Sequence, residues 1–122
     1  MIKEAMLAPP NSQIVISDPQ AVVEVPRWKR DVAYVSTDTC ILVGCLMDAD
    51  GETTFVLGDM QEVDPRHPPL FEGRLKTPNR HLALETVDGR TVLEARVSRQ
   101  EMLLRIWTNS EREPDKVIVG FE

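Results

Sequence analysis

The longest apolar run in the chain covers residues 40–47, and a second apolar segment follows at residues 53–57. The dipeptide Asp50-Gly51 between them is typical of a two-residue type I′ hairpin turn. The sequence therefore predicts a β-hairpin at the centre of the fold.

In the register that this turn sets, Leu46 faces Phe55 and Gly44 faces Leu57, so the glycine leaves room beside Phe55. Both faces of the predicted hairpin are apolar. Each face therefore needs a cover, which a second sheet, the N-terminal segment or another chain would supply.

Short apolar segments between turn residues predict the remaining strands. Residues 1–12 are expected to form a loose N-terminal lead, and the prolines in residues 60–69 predict an irregular crossover between two sheets, without a helix. A second hairpin turn is expected at Asp88-Gly89. The predicted strands outside the central hairpin cover residues 13–17, 21–25, 70–76, 81–86, 91–97 and 117–121.

Residues 98–108 fit two patterns. Ser98 and Glu101 have the spacing of a helix capping box before an apolar run. The same run alternates as a strand, with Met102, Leu104 and Ile106 on one face. The segment is short for an isolated helix, so a strand is predicted.

The pattern as a whole predicts an all-β protein, a single-domain antiparallel β-sandwich of eight or nine short strands over residues 1–122. The chain has 122 residues, enough to bury a core without disulfides or metals. No apolar run approaches the roughly 18 residues of a membrane span, and there is no signal peptide, so a cytoplasmic location without membrane association is the default.

Charge narrows the choice of partner. The net charge is −6, which argues against binding nucleic acid and favours a basic protein partner. Residues 31–64 contain eight carboxylates and no Lys, Arg or His. The predicted hairpin divides seven of them into two groups roughly 20 Å apart at ~3.3 Å per residue. Asp48, Asp50 and Glu52 lie at the tip, whereas Asp38, Asp59, Glu62 and Asp64 are expected to gather at the open end.

No motif indicates catalysis, a bound metal or a cofactor. Neither His67 nor His81 has a second ligand at metal-binding spacing. Cys40 and Cys45 are five residues apart on one predicted strand, too far for a disulfide, and are interpreted as buried apolar residues. Trp28, among three bases, is interpreted as a loop residue at the edge of the core with solvated neighbours, in preference to a base-stacking side chain.

Four segments of the second half resemble the competence protein J family, whose members are small bacterial inhibitors of a DNA-entry nuclease. The resemblance spans roughly residues 70–122 and rests on strand order and apolar spacing. It implies a protein-binding β-domain that is not an enzyme and that inhibits a nuclease. The segments that carry the resemblance are residues 71–75, 81–86, 91–97 and 103–108.

The leading hypothesis is a protein that binds a partner, such as a basic nuclease, through its acidic hairpin region. The first alternative is a β-sandwich that holds a divalent cation or a small ligand at a loop end. The second alternative is a structural homo-oligomer, in which an apolar outer face is the interface between copies.

Overall fold

Two five-stranded sheets pack face to face in a computed structural model that describes all 122 residues. One sheet has the order β1-β5-β10-β9-β6 and the other the order β3-β4-β2-β7-β8. Every neighbouring pair is antiparallel except β5 and β10. The elements are β1 (Ile2–Leu7), β2 (Gln13–Ser17), β3 (Tyr34–Ser36), β4 (Cys40–Gly44), β5 (Thr53–Asp59), α1 (Met60–Val63), β6 (Phe71–Lys76), β7 (His81–Glu85), β8 (Thr91–Arg96), β9 (Glu101–Thr108) and β10 (Lys116–Phe121).

The all-β sandwich is confirmed, with ten strands in place of eight or nine. The two sheets enclose one cluster of 17 buried apolar residues, to which both contribute alternate positions. The strand predicted within residues 98–108 is confirmed as β9, and the hairpin turn at Asp88-Gly89 joins β7 to β8. No helix is long and apolar enough to cross a membrane.

The prediction of a central hairpin was wrong, because β4 and β5 belong to different sheets. β4 lies between β2 and β3, whereas β5 lies between β1 and β10. Asp50 ends a short 3-10 turn, and Gly51 has φ 135° and ψ −169°, which is not a type I′ conformation. The chain thus crosses from one sheet to the other at this point. Each strand then buries one apolar face in the shared core.

The second apolar face of β4 is covered by the segment 20–33 of the same chain. Cys40 and Leu42 point away from the core and are still almost fully buried. Glu24 donates its backbone N–H to Thr39 Oγ1 (2.8 Å), and its carbonyl accepts from Thr37 Oγ1 (2.6 Å). The strand predicted at 21–25 was wrong. The backbone of this segment forms hydrogen bonds with threonine side chains in the turn before β4, and it pairs with no strand.

The first twelve residues are not a loose lead, because β1 pairs with β5 along its whole length, from Ile2 opposite Gly58 to Leu7 opposite Thr53. Its side chains alternate between exposed and half-buried positions, as expected for an edge strand with one face towards the core.

The connection 60–70 crosses the outer face of a single sheet, from β5 to β6, so the predicted crossover between sheets was wrong. It also begins with α1, one helical turn that ends before Pro65. Met60 and Val63 of α1 pack on Trp107, which is 1% exposed. The Trp107 indole N–H donates to the His67 carbonyl at 2.9 Å and holds the connection on the sheet.

Candidate protein-binding site

A groove of about 830 Å³ opens at the end of the sandwich where β4 ends and β2 begins. We call it the end groove. Its walls are the segment that covers β4, the residues before β2, and the loop between β9 and β10. The side chains and backbone that form it include residues 11–13, Trp28, residues 31–33, Gly44, Cys45, Met47, Leu70, Thr108 and residues 110–114.

Trp28 lies against the outer face of β4 because Gly44 has no side chain. A Cβ atom at Gly44 would be 3.3 Å from the Cη2 atom of Trp28. The Gly44 N–H donates to the Ala33 carbonyl at 3.0 Å, which ties the covering segment to the strand. The predicted role of Gly44 beside Phe55 was wrong, since the glycine makes room for Trp28. Trp28 is a half-buried loop residue with exposed basic neighbours, as predicted, but it lies on the outer face of β4 and not at the edge of the core.

Two other apolar side chains line the end groove and remain in contact with solvent. Val32 is 38% exposed and Met47 is 48% exposed. Exposed apolar side chains next to a half-buried tryptophan are typical of the centre of a protein-protein interface.

The backbone around the end groove is held in an uncommon conformation. Six residues other than glycine have positive φ, and four of them line this groove: Asn11, Ser12, Asp31 and Glu113. Such residues persist only where surrounding contacts fix them. Here the Ser12 carbonyl accepts from the Cys45 N–H at 2.7 Å. The part of the wall at Ser12 is therefore tied to the end of β4.

The end groove is rich in unpaired acid. Asp31, Glu111 and Glu113 line it with one base, Arg112, and all four are exposed. None of them forms an ion pair, since the ion pairs of the chain involve other residues. The lining charge is therefore −2.

The predicted tip acids lie next to this groove. Asp48 and Asp50 occupy the 3-10 turn that directly follows Met47, and Glu52 comes two residues later. All three are exposed and unpaired. The structure thus brings the tip acids together, although no hairpin holds them.

The four open-end acids do not gather. Asp38 pairs with Lys76 of β6 at 3.0 Å and raises the pKa of that lysine, chiefly through a hydrogen bond. Asp59 belongs to β5, three strands away in the sheet that contains β6, which is roughly 14 Å at ~4.8 Å per strand. The four acids were expected to form one group; Asp38 lies apart from the others, and only Asp59 and Glu62 share a contact.

The remaining open-end acids are engaged near β1 and α1. The amino group of Met1 donates to Asp59 and Glu62, each at 2.8 Å. The hydrogen bond from this amino group holds the pKa of Asp59 below its usual value. Asp64 accepts the backbone N–H of Arg66 at 2.7 Å.

No three His, Cys, Asp or Glu side chains are arranged to hold a metal ion. Burial raises the pKa of the Cys40 thiol to about 11 and that of the Cys45 thiol to about 12, so neither is a thiolate near neutral pH. The Nε2 atom of His81 lies 3.6 Å from Glu94, and the Nδ1 atom of His67 contacts the Pro68 carbonyl at 3.1 Å. Neither histidine contacts a nucleophilic side chain.

Sequence reasoning missed one residue that supports the site from a distance. Asp18 is fully buried and accepts the backbone N–H of Asn79 at 2.7 Å and that of Gln20 at 3.0 Å. These bonds fix the start of the covering segment. The dipeptide Asp18-Pro19 is typical of a turn, but no pattern in the sequence indicates this contact. No pattern linked residues 11–13 and 110–114, which meet only through the sheet order.

Comparison with known proteins supports the fold. No protein-family model matches the sequence, and no curated protein resembles it at a significant level. Among solved structures, ComJ from Bacillus subtilis, described as the inhibitor of the DNA-degrading activity of NucA, superposes with a TM-score of 0.72 at 14% identity. The match covers 99% of this chain and 97% of ComJ. The product of crocagin biosynthetic gene J matches with a TM-score of 0.55 at 13% identity, over 99% and 97% of the two chains. The chain therefore has a ComJ-like fold.

Proposed function

We propose that this protein is a non-enzymatic inhibitor that binds a nuclease through the acidic surface around the end groove. One observation carries the proposal. The end of the sandwich that exposes apolar side chains is also the end where six carboxylates form no ion pair. The ComJ-like fold supports the choice of a nuclease as partner, because ComJ is an inhibitor of one.

The six acids divide into the three that line the groove and the three at the adjacent tip, Asp48, Asp50 and Glu52. Acids of this kind attract a basic partner and raise the association rate at low salt. Asp38, Asp59, Glu62 and Asp64 contribute less in this proposal, because local contacts already engage them.

The test is inhibition of DNA degradation by a panel of basic nucleases, beginning with any nuclease that is encoded next to this protein. The triple variant Asp48→Lys, Asp50→Lys, Glu52→Lys is expected to inhibit the same nuclease at least 10-fold more weakly, with most of the loss in the association rate. A single-site control is Glu4→Lys, at an exposed and unpaired acid on β1 outside the end groove. Equal affinity of the triple variant at all salt concentrations, or no inhibition of any nuclease, would contradict the proposal.

A second candidate function is self-association along β1. This edge strand exposes Ile2 and Met6, which are 52% and 60% accessible, on its outer face. Exposed apolar side chains on an edge strand favour pairing with another chain. Light scattering at high protein concentration measures the oligomeric state. A monomer under these conditions would contradict self-association.

A further inference from the structure

We propose that the end groove receives an arginine side chain from a loop of the partner protein, with its guanidinium group against Trp28 and the lining carboxylates. The inference rests on the proposed function for the class of partner, a basic protein. It goes further by naming the surface and the side chain that the surface recognises.

Trp28 supplies the apolar part of this recognition. Its ring rests on Gly44 at one end and lines the groove, and its indole N–H donates to no atom of the chain. A guanidinium group stacks on an indole face through cation–π attraction and dispersion, and tryptophan is the best of the aromatic residues for this contact. The free indole N–H remains available to a carbonyl of the incoming loop.

The charge of the groove selects a cation. Asp31, Glu111 and Glu113 outnumber the single lining base Arg112, and none of these three acids forms an ion pair within the chain. The exposed bases that flank Trp28, at positions 27, 29 and 30, are not part of the groove lining. Arginine suits the site better than lysine, because its planar guanidinium group can stack on the indole and donate hydrogen bonds to two carboxylates at once.

The volume and rigidity of the groove favour a loop over a lone side chain. A volume of about 830 Å³ is comparable to a site for a drug-sized ligand, so it holds an arginine with its flanking residues. The Ser12 and Pro114 carbonyls of the lining accept the backbone N–H groups of Cys45 and Leu46, so the loop meets a wall that is partly formed before binding. A preformed site has less ordering entropy to lose on association.

The first experiment probes the groove without any nuclease. A blocked Gly-Arg-Gly peptide is titrated into the ¹⁵N-labelled protein, and the matched blocked Gly-citrulline-Gly peptide serves as the uncharged control. The arginine peptide is expected to bind with a dissociation constant on the order of 1 mM and to shift the Trp28 indole signal and the amides of residues 110–113. The citrulline peptide should shift them at least 10-fold less. Equal shifts with both peptides, or shifts confined to other surfaces, would overturn the inference.

The second experiment uses a nuclease that the wild-type protein inhibits. Trp28→Ala is expected to weaken inhibition about 30-fold, as truncation of an interface tryptophan commonly does. Val25→Ala, an exposed residue of the same segment outside the groove, should have no effect. If Trp28→Ala inhibits as well as the wild type, the groove is not the docking surface, although the proposed inhibition stands. If the arginine peptide binds the groove and no nuclease is inhibited, the proposed function fails and the groove remains a cation-recognising site.

Discussion

The contact between Gly44 and Trp28 predicts a strong coupling between the two positions. The substitution Gly44→Val places a branched side chain where a Cβ atom already lies 3.3 Å from the indole ring. Gly44 does not have positive φ, so the backbone itself accepts a side chain at this position. The next-nearest group that the Cβ would meet, the Ala33 carbonyl oxygen at 3.6 Å, is at an ordinary contact distance.

The expected free energies follow from this geometry. Overpacking against the ring costs about 2 kcal/mol, whereas replacing a strand glycine by valine contributes about 1 kcal/mol in favour of the native state. Gly44→Val should therefore destabilise the wild-type protein by about 1 kcal/mol. In the Trp28→Ala background the ring is absent, so the same substitution should stabilise by about 1 kcal/mol. The coupling energy is then about 2 kcal/mol, or about 8 °C in Tm for a domain of this size.

The assay is urea unfolding of the wild type, both single variants and the double variant, followed by far-ultraviolet circular dichroism. This signal comes from the backbone and is comparable in all four proteins. An equal cost of Gly44→Val in the two backgrounds would refute the placement of Trp28 on β4. That result would also mean that Trp28 does not line the end groove.

Four further predictions concern buried polar groups and the two buried thiols. Thr53→Val should raise the free energy of unfolding by about 1 kcal/mol, because the buried Thr53 hydroxyl has no hydrogen-bond partner, and urea unfolding measures this. Asp18→Ala should lower it by about 3 kcal/mol, since the backbone N–H groups of Asn79 and Gln20 both lose their charged acceptor, which is buried; a loss below about 0.5 kcal/mol would contradict the anchoring role. Cys40 and Cys45 should resist iodoacetamide at pH 8 in the native state and react in urea, as mass spectrometry would show. The pKa of a cysteine thiol is near 9.0 in the unfolded chain, whereas burial raises it to about 11 for Cys40 and about 12 for Cys45. Above pH 9 the native state therefore binds more protons than the unfolded state. The free energy of unfolding should fall as the pH rises from 9 to 11.

The sequence predicts the strands that alternate or carry their own turn. β7 and β8 are joined by Asp88-Gly89, and β9 alternates over eight residues, so local information is sufficient for both. Prediction from the sequence fails where a local turn signal competes with pairing between strands that are distant in the chain. Asp50-Gly51 has the composition of a hairpin turn, but β4 pairs with β2 and β5 pairs with β1 and β10. These partners are distant in sequence, and periodicity alone does not identify them.

The candidate site could be predicted only in part, for the same reason. The sequence shows the tip acids as part of a stretch without Lys, Arg or His, and it shows Trp28 as a tryptophan among three bases. Their proximity depends on β4 ending beside the start of β2 and beside the loop before β10, as the bonds from Cys45 N–H to Ser12 and from Leu46 N–H to Pro114 show. The prediction that the open-end acids gather was wrong, because it relied on a hairpin that does not form.

Hydrogen exchange of a complex between this protein and an inhibited nuclease tests the central claim most directly. If the end groove docks the partner, the amides of residues 27–33, 45–50 and 110–113 should exchange at least 10-fold more slowly in the complex, while β1 and β8 are unchanged. Protection of β1 and β8 with no change around the end groove would contradict the account.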